Sequence, residues 1–490
     1  MLFRSDGIIV DGKAVSTDES AAVHTAHDIV CYESGRDFTY GEGTEAGEHT
    51  AEEAEAHTVV HITQPGTYAL SGTLSAGQIA VDLGEDAEDD PAAVVTLILN
   101  GVDITCTVAP AVIFYNGYEC GSTDEDTASE TVDTSAAGAN VLIADGTINN
   151  VTGSYVARIY DPDSVVLSED GMTVEDSGKL HKYDGAFYSK MSMNVDGGEA
   201  GTGVLNITAD NEGLDTELHL TINGGTINIT SGNDGINTNE DNVSVTTVNG
   251  GSVNIQVTGE TGEGDGIDSN GWLVINGGAV TAAACSDSGD AGIDATMGIT
   301  INGGTVAASG NMYDQIDGGA QNYVVFSFAS RQNGGQTYTL QNADGETVGT
   351  WAPANDFTCL VVSSPDLTAG DYTLWQGDTQ LAGTMSDGVG SPGGGRHMGG
   401  EAPPADLDPW QAPEGDVPEN AGSEVPDDPP ERPDGEMEPD GRESPAGGHG
   451  PGGGEGGQSA AGLSKTFTLS DGGSFFNGLS PTETTEASET

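Results

Sequence analysis

"GDGIDSNGWLVINGGAV", residues 264–280, places a short apolar strand between an Asp-Gly-Ile-Asp turn and an Asn-Gly-Gly turn. Both turns return in neighbouring stretches of the chain, as DGINTN at 234–239, AGIDAT at 291–296, INGGTI at 222–227 and INGGTV at 301–306. The Gly-Gly pairs begin at 224, 250, 277 and 303, so the repeat is 26 or 27 residues long. A phrase that returns at a fixed period indicates a repeated structural unit.

Each repeat contributes apolar residues at equivalent positions. They form three columns: Ile222, Val248, Ile275 and Ile301; Ile227, Val253, Val280 and Val306; and Leu214, Ile236, Ile267 and Ile293. One short strand cannot bury a face alone, but equivalent strands stacked about 4.8 Å apart can do so. The sequence therefore predicts an all-β fold in which successive repeats are the coils of a parallel β-helix.

An asparagine precedes each Gly-Gly pair, at Asn223, Asn249, Asn276 and Asn302. Identical amides one coil apart can hydrogen-bond to each other and to the turn backbone, as an amide ladder. The glycine that follows suits a turn that needs a positive φ. We expect an architectural role for this column; the alternative is that the amides contact a ligand.

Changes in composition divide the chain into five parts. We expect residues 1–56 to be an acidic, mostly disordered segment and residues 57–321 to form the parallel β-helix. Longer alternating strands predict a C-terminal antiparallel β cap over 322–386 that covers the open end of the helix. Residues 387–462 are rich in Gly, Pro and acids, which predicts disorder, and 463–490 read as a short strand with a polar tail.

Twelve Lys and Arg face 79 Asp and Glu, which gives a formal net charge of -67. A chain this acidic repels nucleic acid and anionic membranes, so we expect neither as a partner. The five cysteines include no C-x-x-C pair; Cys106 and Cys120 could pair, but we expect isolated thiols. The sequence has no long apolar span and no recognisable signal peptide at its start. The alternatives are a cytosolic protein or a missing true N-terminus, and we expect the second.

Acidic and amide side chains gather at one turn of each repeat. The candidate metal ligands are Asp215, Asp234, Asn237, Asp265, Asp268, Asp290 and Asp294. Stacked coils would hold like charges roughly 5 Å apart, where each pair repels by about 0.8 kcal/mol in water and more when half-buried. The chain has no Lys or Arg between Lys190 and Arg331, so the alternatives are Ca²⁺, which prefers such oxygen ligands, or solvated turn acids.

Trp272 is the only aromatic residue between 205 and 310, and it follows the acidic turn DGIDSNG directly. Its inward neighbour Leu273 implies that the indole points outward, where it could stack on a sugar ring. The alternative is that the indole packs under a loop. Asn270, and His219 in the same column of the repeat, are the other candidate carbohydrate-binding residues.

The chain resembles secreted bacterial carbohydrate-binding-domain proteins in its phrases GTYALSGTLSAGQIAVDL, VTLILNGVDIT, DGINTN, DGIDSNG, INGGTV and SSPDLTAGDYTL. The resemblance covers about 57–400. It implies a right-handed, single-stranded, pectate-lyase-like parallel β-helix, an extracellular or cell-surface location and binding of plant cell-wall polysaccharide. It also implies Ca²⁺ at Asp234, Asn237, Asp265, Asp268 and Asp294. The turns at 212–215 and 291–294 depart from the pattern with an initial Glu and Ala.

The interpretation that follows is a non-catalytic module that binds an acidic pectin-like polysaccharide or cellulose with calcium as cofactor. A polysaccharide lyase is the first enzyme alternative, but it needs an Arg or Lys base and the coils have none. Arg158, Lys182 and Lys190 lie before the coils and Arg331 after them, so a base would have to reach in from outside. A glycoside hydrolase would need a carboxylate pair such as Asp265 with Asp268. A structural surface protein or adhesin predicts no affinity for sugar.

Overall fold

The computed structural model describes residues 1–5, 7–386 and 463–481, which belong to one compact unit. Strands dominate these residues; their helices are a five-residue α-helix, α1 (Ala51–Glu55), and a 3-10 helix at Glu85–Asp89. The expected all-β class is therefore confirmed. Within the described ranges, no helix combines the length and apolar character that crossing a membrane requires.

The strands of the N-terminal third are β1 (Leu2–Arg4), β2 (Gly7–Val10), β3 (Lys13–Ala14), β4 (Val23–Ala26), β5 (Thr58–Ile62), β6 (Gly66–Leu74), β7 (Gly77–Asp82), β8 (Val95–Thr105), β9 (Val112–Asn116), β10 (Ala139–Ile143), β11 (Ile148–Gly153) and β12 (Val156–Tyr160). The middle of the chain contributes β13 (Val166–Leu167), β14 (Val174–Asp176), β15 (Lys179–Tyr183), β16 (Gly185–Ser189), β17 (Met193–Asp196), β18 (Val204–Ala209), β19 (Glu212–Thr216), β20 (Leu220–Ile222), β21 (Thr226–Ser231), β22 (Ile236–Thr238), β23 (Val245–Val248), β24 (Ser252–Val257), β25 (Ile267–Ser269), β26 (Trp272–Ile275), β27 (Ala279–Ala283), β28 (Gly298–Ile301) and β29 (Thr305–Gly310). The C-terminal strands are β30 (Ile316–Gly318), β31 (Tyr323–Gln332), β32 (Tyr338–Asn342), β33 (Thr347–Trp351), β34 (Phe357–Ser363), β35 (Gly370–Gln376), β36 (Thr379–Ser386), β37 (Phe467–Leu469) and β38 (Gly473–Pro481).

Strands of the repeat pair in parallel with the equivalent strand of the next repeat, and three ladders result. The first ladder runs β17–β20–β23–β26–β28. The second runs β11–β18–β21–β24–β27–β29. The third runs β9–β16–β19–β22–β25. Equivalent residues of successive repeats therefore lie side by side along each ladder.

The apolar columns that the sequence predicts lie inside these ladders. Ile222, Val248, Ile275 and Ile301 are in register on the first ladder and all are buried. The second ladder likewise holds a buried column in register, which consists of Ile227, Val253, Val280 and Val306. Leu214, Ile236 and Ile267 form the third column, and Ile293 is buried beside them in the same core. These stacked branched side chains hold the repeats together.

The predicted asparagine ladder is confirmed. The amide nitrogen of Asn249 donates to Oδ1 of Asn223 at 3.0 Å, Asn276 donates to Asn249 at 3.0 Å, and Asn302 donates to Asn276 at 2.9 Å. The second glycine of each pair has a positive φ, between 79° and 85° across the four repeats. The amides therefore serve the turn architecture.

Residues 1–56 differ from the mostly disordered segment that the sequence suggested. Strand β1 pairs in parallel with β6, and β4 pairs antiparallel with β5. Phe3, Val23 and Tyr32 are buried in the main core. These apolar contacts hold the segment in place, although its acidic composition suggested disorder. A capping box between Thr50 and Glu53 begins α1.

The C-terminal region has the antiparallel pairings expected of a cap. Strand β34 pairs antiparallel with both β29 and β31, and β32 pairs antiparallel with β33 and β35. Strand β38 returns from the far end of the chain to lie parallel to β31. The predicted disordered segment 387–462 and the tail 482–490 lie outside the described residues. All five cysteines are free thiols.

Candidate metal and carbohydrate site

The third ladder positions the polar residues of the acidic turns. Its register places Tyr188, Asp215, Asn237 and Asp268 in one column across four strands. Each of the last three follows a buried apolar residue of the third column, and successive strand residues point to opposite faces. The polar column therefore faces away from the apolar core, and two groups of carboxylates form along it.

The first group, called here the buried cluster, consists of Asp184, Glu212 and Asp215. Each residue offers a carboxylate oxygen within 4.8 Å of the others, and all three residues are buried. Two unit charges at that separation repel by about 0.9 kcal/mol in water and by about four times as much near a protein surface. Lys182 neutralises one of them, because its Nζ lies 2.7 Å from Oδ2 of Asp184.

Three buried oxygens at the buried cluster make no hydrogen bond within the described part of the chain: Glu212 Oε2, Asp215 Oδ2 and Asn237 Oδ1. Their other side-chain atoms are held, because Asn237 Nδ2 donates to Glu212 Oε1 at 3.1 Å and Asn239 Nδ2 donates to Asp215 Oδ1 at 2.5 Å. A buried acceptor without a donor is costly unless a proton, a water molecule or a cation satisfies it. The set of carboxylate and amide oxygens fits Ca²⁺.

Protonation is the alternative way to relieve the buried cluster. Burial raises the pKa of Glu212 well above its usual value, and the charges of Asp215 and Asp184 add to the effect. The pKa of Asp215 is raised in the same way, by burial first and then by the charges of Asp184 and Glu217. These carboxyls therefore take up either protons or a metal ion.

The second group, called here the open cluster, consists of Asp265, Asp268 and Asp294. Their carboxylate oxygens also lie within 4.8 Å of one another, but the residues are only half-buried. Burial, followed by the charges of Asp314, Asp268 and Asp290, raises the pKa of Asp294 to about 7. The pKa of Asp265 is raised well above its usual value by burial and by the charges of Asp234 and Asp294. A cation bound here would keep a face towards solvent.

Asp234 and Asp290, which the sequence also predicts as metal ligands, each accept a hydrogen bond from the backbone of a neighbouring turn. Oδ1 of Asp234 accepts the backbone N–H of Asp265 at 2.6 Å, and Oδ2 of Asp290 accepts that of Gly264 at 2.6 Å. These bonds fix one acidic turn against the next. Both residues therefore support the open cluster, each with one carboxylate oxygen bonded to backbone. Asp265 in the open cluster does the same, because its Oδ1 accepts the backbone N–H of Ala291 at 2.5 Å.

Of the three predicted carbohydrate-binding residues, two are half-buried and one is fully buried. Trp272 is half-buried at the start of β26, in register with Val245 and Gly298. Asn270 is half-buried and its amide donates to the backbone oxygen of Asn239 at 2.8 Å. His219 is 1% exposed and its Nε2 lies 3.0 Å from the backbone oxygen of Ser122. His219 thus offers no surface to a sugar, and we leave it out of the proposed site.

Asp184 and Glu212 were not among the metal ligands predicted from the sequence, and Lys182 was considered there only as a possible lyase base. Asp184 precedes a glycine, as Asp234 and Asp265 do, and this Asp-Gly pair is the signal that could have found it. The steps along the third ladder are unequal, so alignment on the Gly-Gly pairs does not bring Asp184 into the column. Lys182 joins the site from β15, outside the repeats.

Both clusters lie within residues 56–345, which match a family model described as carbohydrate-binding domain-containing protein. The chain belongs to this family. A carbohydrate-binding domain-containing protein of Acetivibrio thermocellus is 29% identical to it over 126 residues. That match covers 25% of this chain and 35% of the relative, so the chain spans about a third of that relative's length.

Among solved structures, the chain is similar to the polysaccharide lyase-like protein from C. thermocellum, determined as a gadolinium derivative. The likeness covers 51% of this chain and 84% of the other, at 22% identity and a TM-score of 0.30.

Proposed function

We propose that this member of the carbohydrate-binding domain family is a non-catalytic, extracellular module that binds plant cell-wall polysaccharide with the help of Ca²⁺. The ligand class is an acidic, pectin-like polymer or cellulose. The observation that carries the proposal is the open cluster, in which Asp265, Asp268 and Asp294 gather their oxygens within 4.8 Å at a half-buried surface.

The three parallel ladders support a right-handed, pectate-lyase-like β-helix as the scaffold. Strands β18, β19 and β20 enter three different ladders in turn, and β21, β22 and β23 then pair with them one repeat later. A connection between parallel strands of one sheet is nearly always right-handed. Such a scaffold stacks equivalent turns and gives a regular surface to a regular polymer.

Calcium answers the objection that an acidic protein repels an acidic polymer. An ion at the open cluster would be held by protein oxygens on one side and would accept sugar hydroxyl or carboxylate oxygens on the other. The buried cluster fits a second ion with a structural role, because its unpaired oxygens are enclosed. The half-buried Trp272 and Asn270 belong to the same stretch of chain as the open cluster and are the residues we assign to the sugar.

The state of the lysines supports a binding role over that of a lyase. A lyase base must lose its proton near neutral pH. Burial works to lower the pKa of Lys182, but the charge and hydrogen bond of Asp184 outweigh it and raise the pKa above its usual value. Lys179 is likewise paired with Glu217 at 3.1 Å. The amine of Lys182 therefore stays protonated near neutral pH.

Calorimetric titration of the full chain with Ca²⁺, and then with polygalacturonate in calcium or in chelator, tests the proposal. Asp268→Ala should weaken calcium binding by at least about tenfold, the loss that even indirect ligands cause, and lower Tm in calcium. Asp378→Ala, an exposed acid in the turn between β35 and β36, is the matched control and should change neither.

Unchanged calcium affinity and Tm in Asp268→Ala would remove the open cluster as a site. Polymer binding that survives the chelator undiminished would remove calcium from the function. Absorbance of unsaturated uronate products, followed during incubation with the polymer, should stay flat, and a steady rise would identify a lyase instead.

A further inference from the structure

A second surface, away from the acidic turns, has the form of a ligand site. A cleft of about 390 Å³ lies between the second ladder and residues 350–354, where β33 of the cap ends and the following loop begins. We call it the Trp351 cleft, after the one aromatic side chain in its lining. Its volume falls within the range of about 300–1,000 Å³ that small-molecule sites occupy.

The lining of the Trp351 cleft carries no charge. It contains asparagine, threonine, glutamine, serine, alanine, isoleucine, proline and tryptophan, and no Asp, Glu, Lys or Arg. The chain as a whole has 79 Asp and Glu. A neutral lining in so acidic a protein selects against charged ligands, which would lose their hydration without gaining a partner. It suits a ligand that offers hydroxyl groups.

The floor of the cleft is a polar row on the second ladder. Asn228, Asn254, Thr281 and Ala307 are in register on β21, β24, β27 and β29. Four strands at about 4.8 Å per step span roughly 14 Å from first to last. Asn254 Nδ2 donates to Asn228 Oδ1 at 2.9 Å and to Ser252 Oγ at 3.2 Å, which fixes the two amides of the row. Oδ1 of Asn254 and the hydroxyl of Thr281 are then the groups of the row that can bond to the hydroxyls of a glycan.

Trp351 forms the facing wall. Its inner side packs against the apolar core of the cap, and the indole is half-buried. Gly349 makes room for the ring, since a Cβ there would lie 2.2 Å from the indole. An indole fixed in this way presents a rigid apolar surface, which suits the apolar face of a sugar ring.

Asn355 ties the cap loop to the ladder. Its Nδ2 donates to the backbone oxygens of Val257 at 2.6 Å and Ala284 at 2.8 Å. Its Oδ1 accepts from Nε2 of Gln256, a floor residue, at 3.0 Å. Wall and floor are thus held together before a ligand arrives, which lowers the entropic cost of binding.

We propose that the Trp351 cleft binds a short neutral segment of a glycan chain and does so without calcium. The proposal rests on the proposed polysaccharide-binding function, but it names a separate subsite with an uncharged ligand class. The open cluster would then serve acidic polymers and the Trp351 cleft neutral ones.

The test is calorimetric titration of the full chain with two probes, cellohexaose and polygalacturonate, each in calcium and in chelator. Trp351→Ala should weaken cellohexaose binding by at least about tenfold, as loss of an aromatic anchor does. Thr281→Glu puts a charge on the floor and should do the same without disturbing the cap. Thr305→Glu, an equally exposed threonine on β29 outside the lining, is the control and should bind normally.

Three outcomes separate this proposal from the calcium site. Cellohexaose binding that is unaffected by chelator and by Asp268→Ala, but lost in Thr281→Glu, supports the Trp351 cleft even if polygalacturonate does not bind. The opposite result is cellohexaose binding that is lost in chelator and unchanged by Trp351→Ala and Thr281→Glu. That result overturns the Trp351 cleft as a site and is consistent with binding at the open cluster. Absence of cellohexaose binding to the unaltered chain also overturns it.

Discussion

At the scale of single residues, one residue type does different work according to its surroundings. Asp234 has a carboxylate oxygen on a backbone N–H and stabilises a turn. Asp215, one repeat earlier, keeps a buried oxygen without a donor. Asp294 lies among three other acids, and its pKa rises to about 7 through burial and their charges. The local environment, rather than the Asp-Gly motif, thus decides whether a carboxylate oxygen is bonded within the protein, as in Asp234, or is left for a proton or a metal ion, as we propose for Asp215.

Asp215→Asn tests the buried cluster. The substitution removes a buried charge beside Asp184 and Glu212, so we expect Tm in chelator to rise or stay level. In calcium we expect Tm below that of the unaltered chain, because one ligand of the ion is lost. Differential scanning calorimetry in both conditions measures the two effects. A Tm in calcium equal to that of the unaltered chain would argue against an ion there.

Gly278→Ala tests the turn that closes each repeat. Gly278 has a φ of +79°, and a Cβ would lie 2.8 Å from backbone atoms of Gly250 and Gly251. The left-handed conformation alone costs an alanine about 1–2 kcal/mol. Gly345, with a φ of +78° and open space around it, carries that cost without the clash. Urea unfolding should show a larger loss for Gly278→Ala than for Gly345→Ala, and equal losses would contradict the close stacking of turns.

At the scale of elements, periodicity determined what the sequence could predict. The Gly-Gly pairs return at nearly equal steps, so the columns through Ile275 and Val280 follow from alignment alone. Successive strands of the third ladder are separated by unequal numbers of residues. Alignment on the Gly-Gly pairs therefore does not identify Asp184 and Glu212 as candidate metal ligands. The wall at Trp351 comes from a cap hairpin outside the repeats, and a non-local contact of this kind leaves no pattern in the sequence.

Ile275→Ala tests whether the inner columns hold the ladders together. Ile275 is fully buried and lies between Val248 and Ile301 in the first ladder. Deleting such a side chain leaves a cavity and should cost about 2–5 kcal/mol in the free energy of unfolding. Val166→Ala, at a residue that is 49% exposed in the short hairpin β13–β14, should cost far less. A small loss for Ile275→Ala in urea unfolding would contradict continuous packing between repeats.

At the scale of the whole molecule, acidic and neutral surfaces lie on different ladders of a chain whose formal net charge is -67. Carboxylates gather at the buried and open clusters, whereas the Trp351 cleft on another ladder has a neutral lining. The same stacking of repeats creates both surfaces, because each strand adds one residue to every row. If both proposals hold, a single scaffold presents an ion-dependent face and an ion-independent face to different parts of a polymer.

The stability of the whole chain should respond to pH in opposite ways with and without calcium. The pKa of Asp294 is raised from 3.8 to about 7, and the pKa values of Asp265 and Asp234 are raised as well, in each case chiefly by burial. Between about pH 4 and 7 the folded state therefore binds protons that the unfolded state has released. In chelator, Tm should fall as pH rises through this window.

Calcium should reverse that trend, because its ligands must be deprotonated and its stabilising effect grows as protons leave. Thermal unfolding followed by circular dichroism at intervals from pH 4.5 to 8, in calcium and in chelator, measures both curves. Asp294→Asn removes the titrating group and should flatten the fall in chelator, whereas Asp378→Asn, in an exposed turn, should leave it unchanged. A Tm in chelator that climbs across the window would mean that these carboxyls are already ionised in the folded protein, and the cluster would then have no need of a metal.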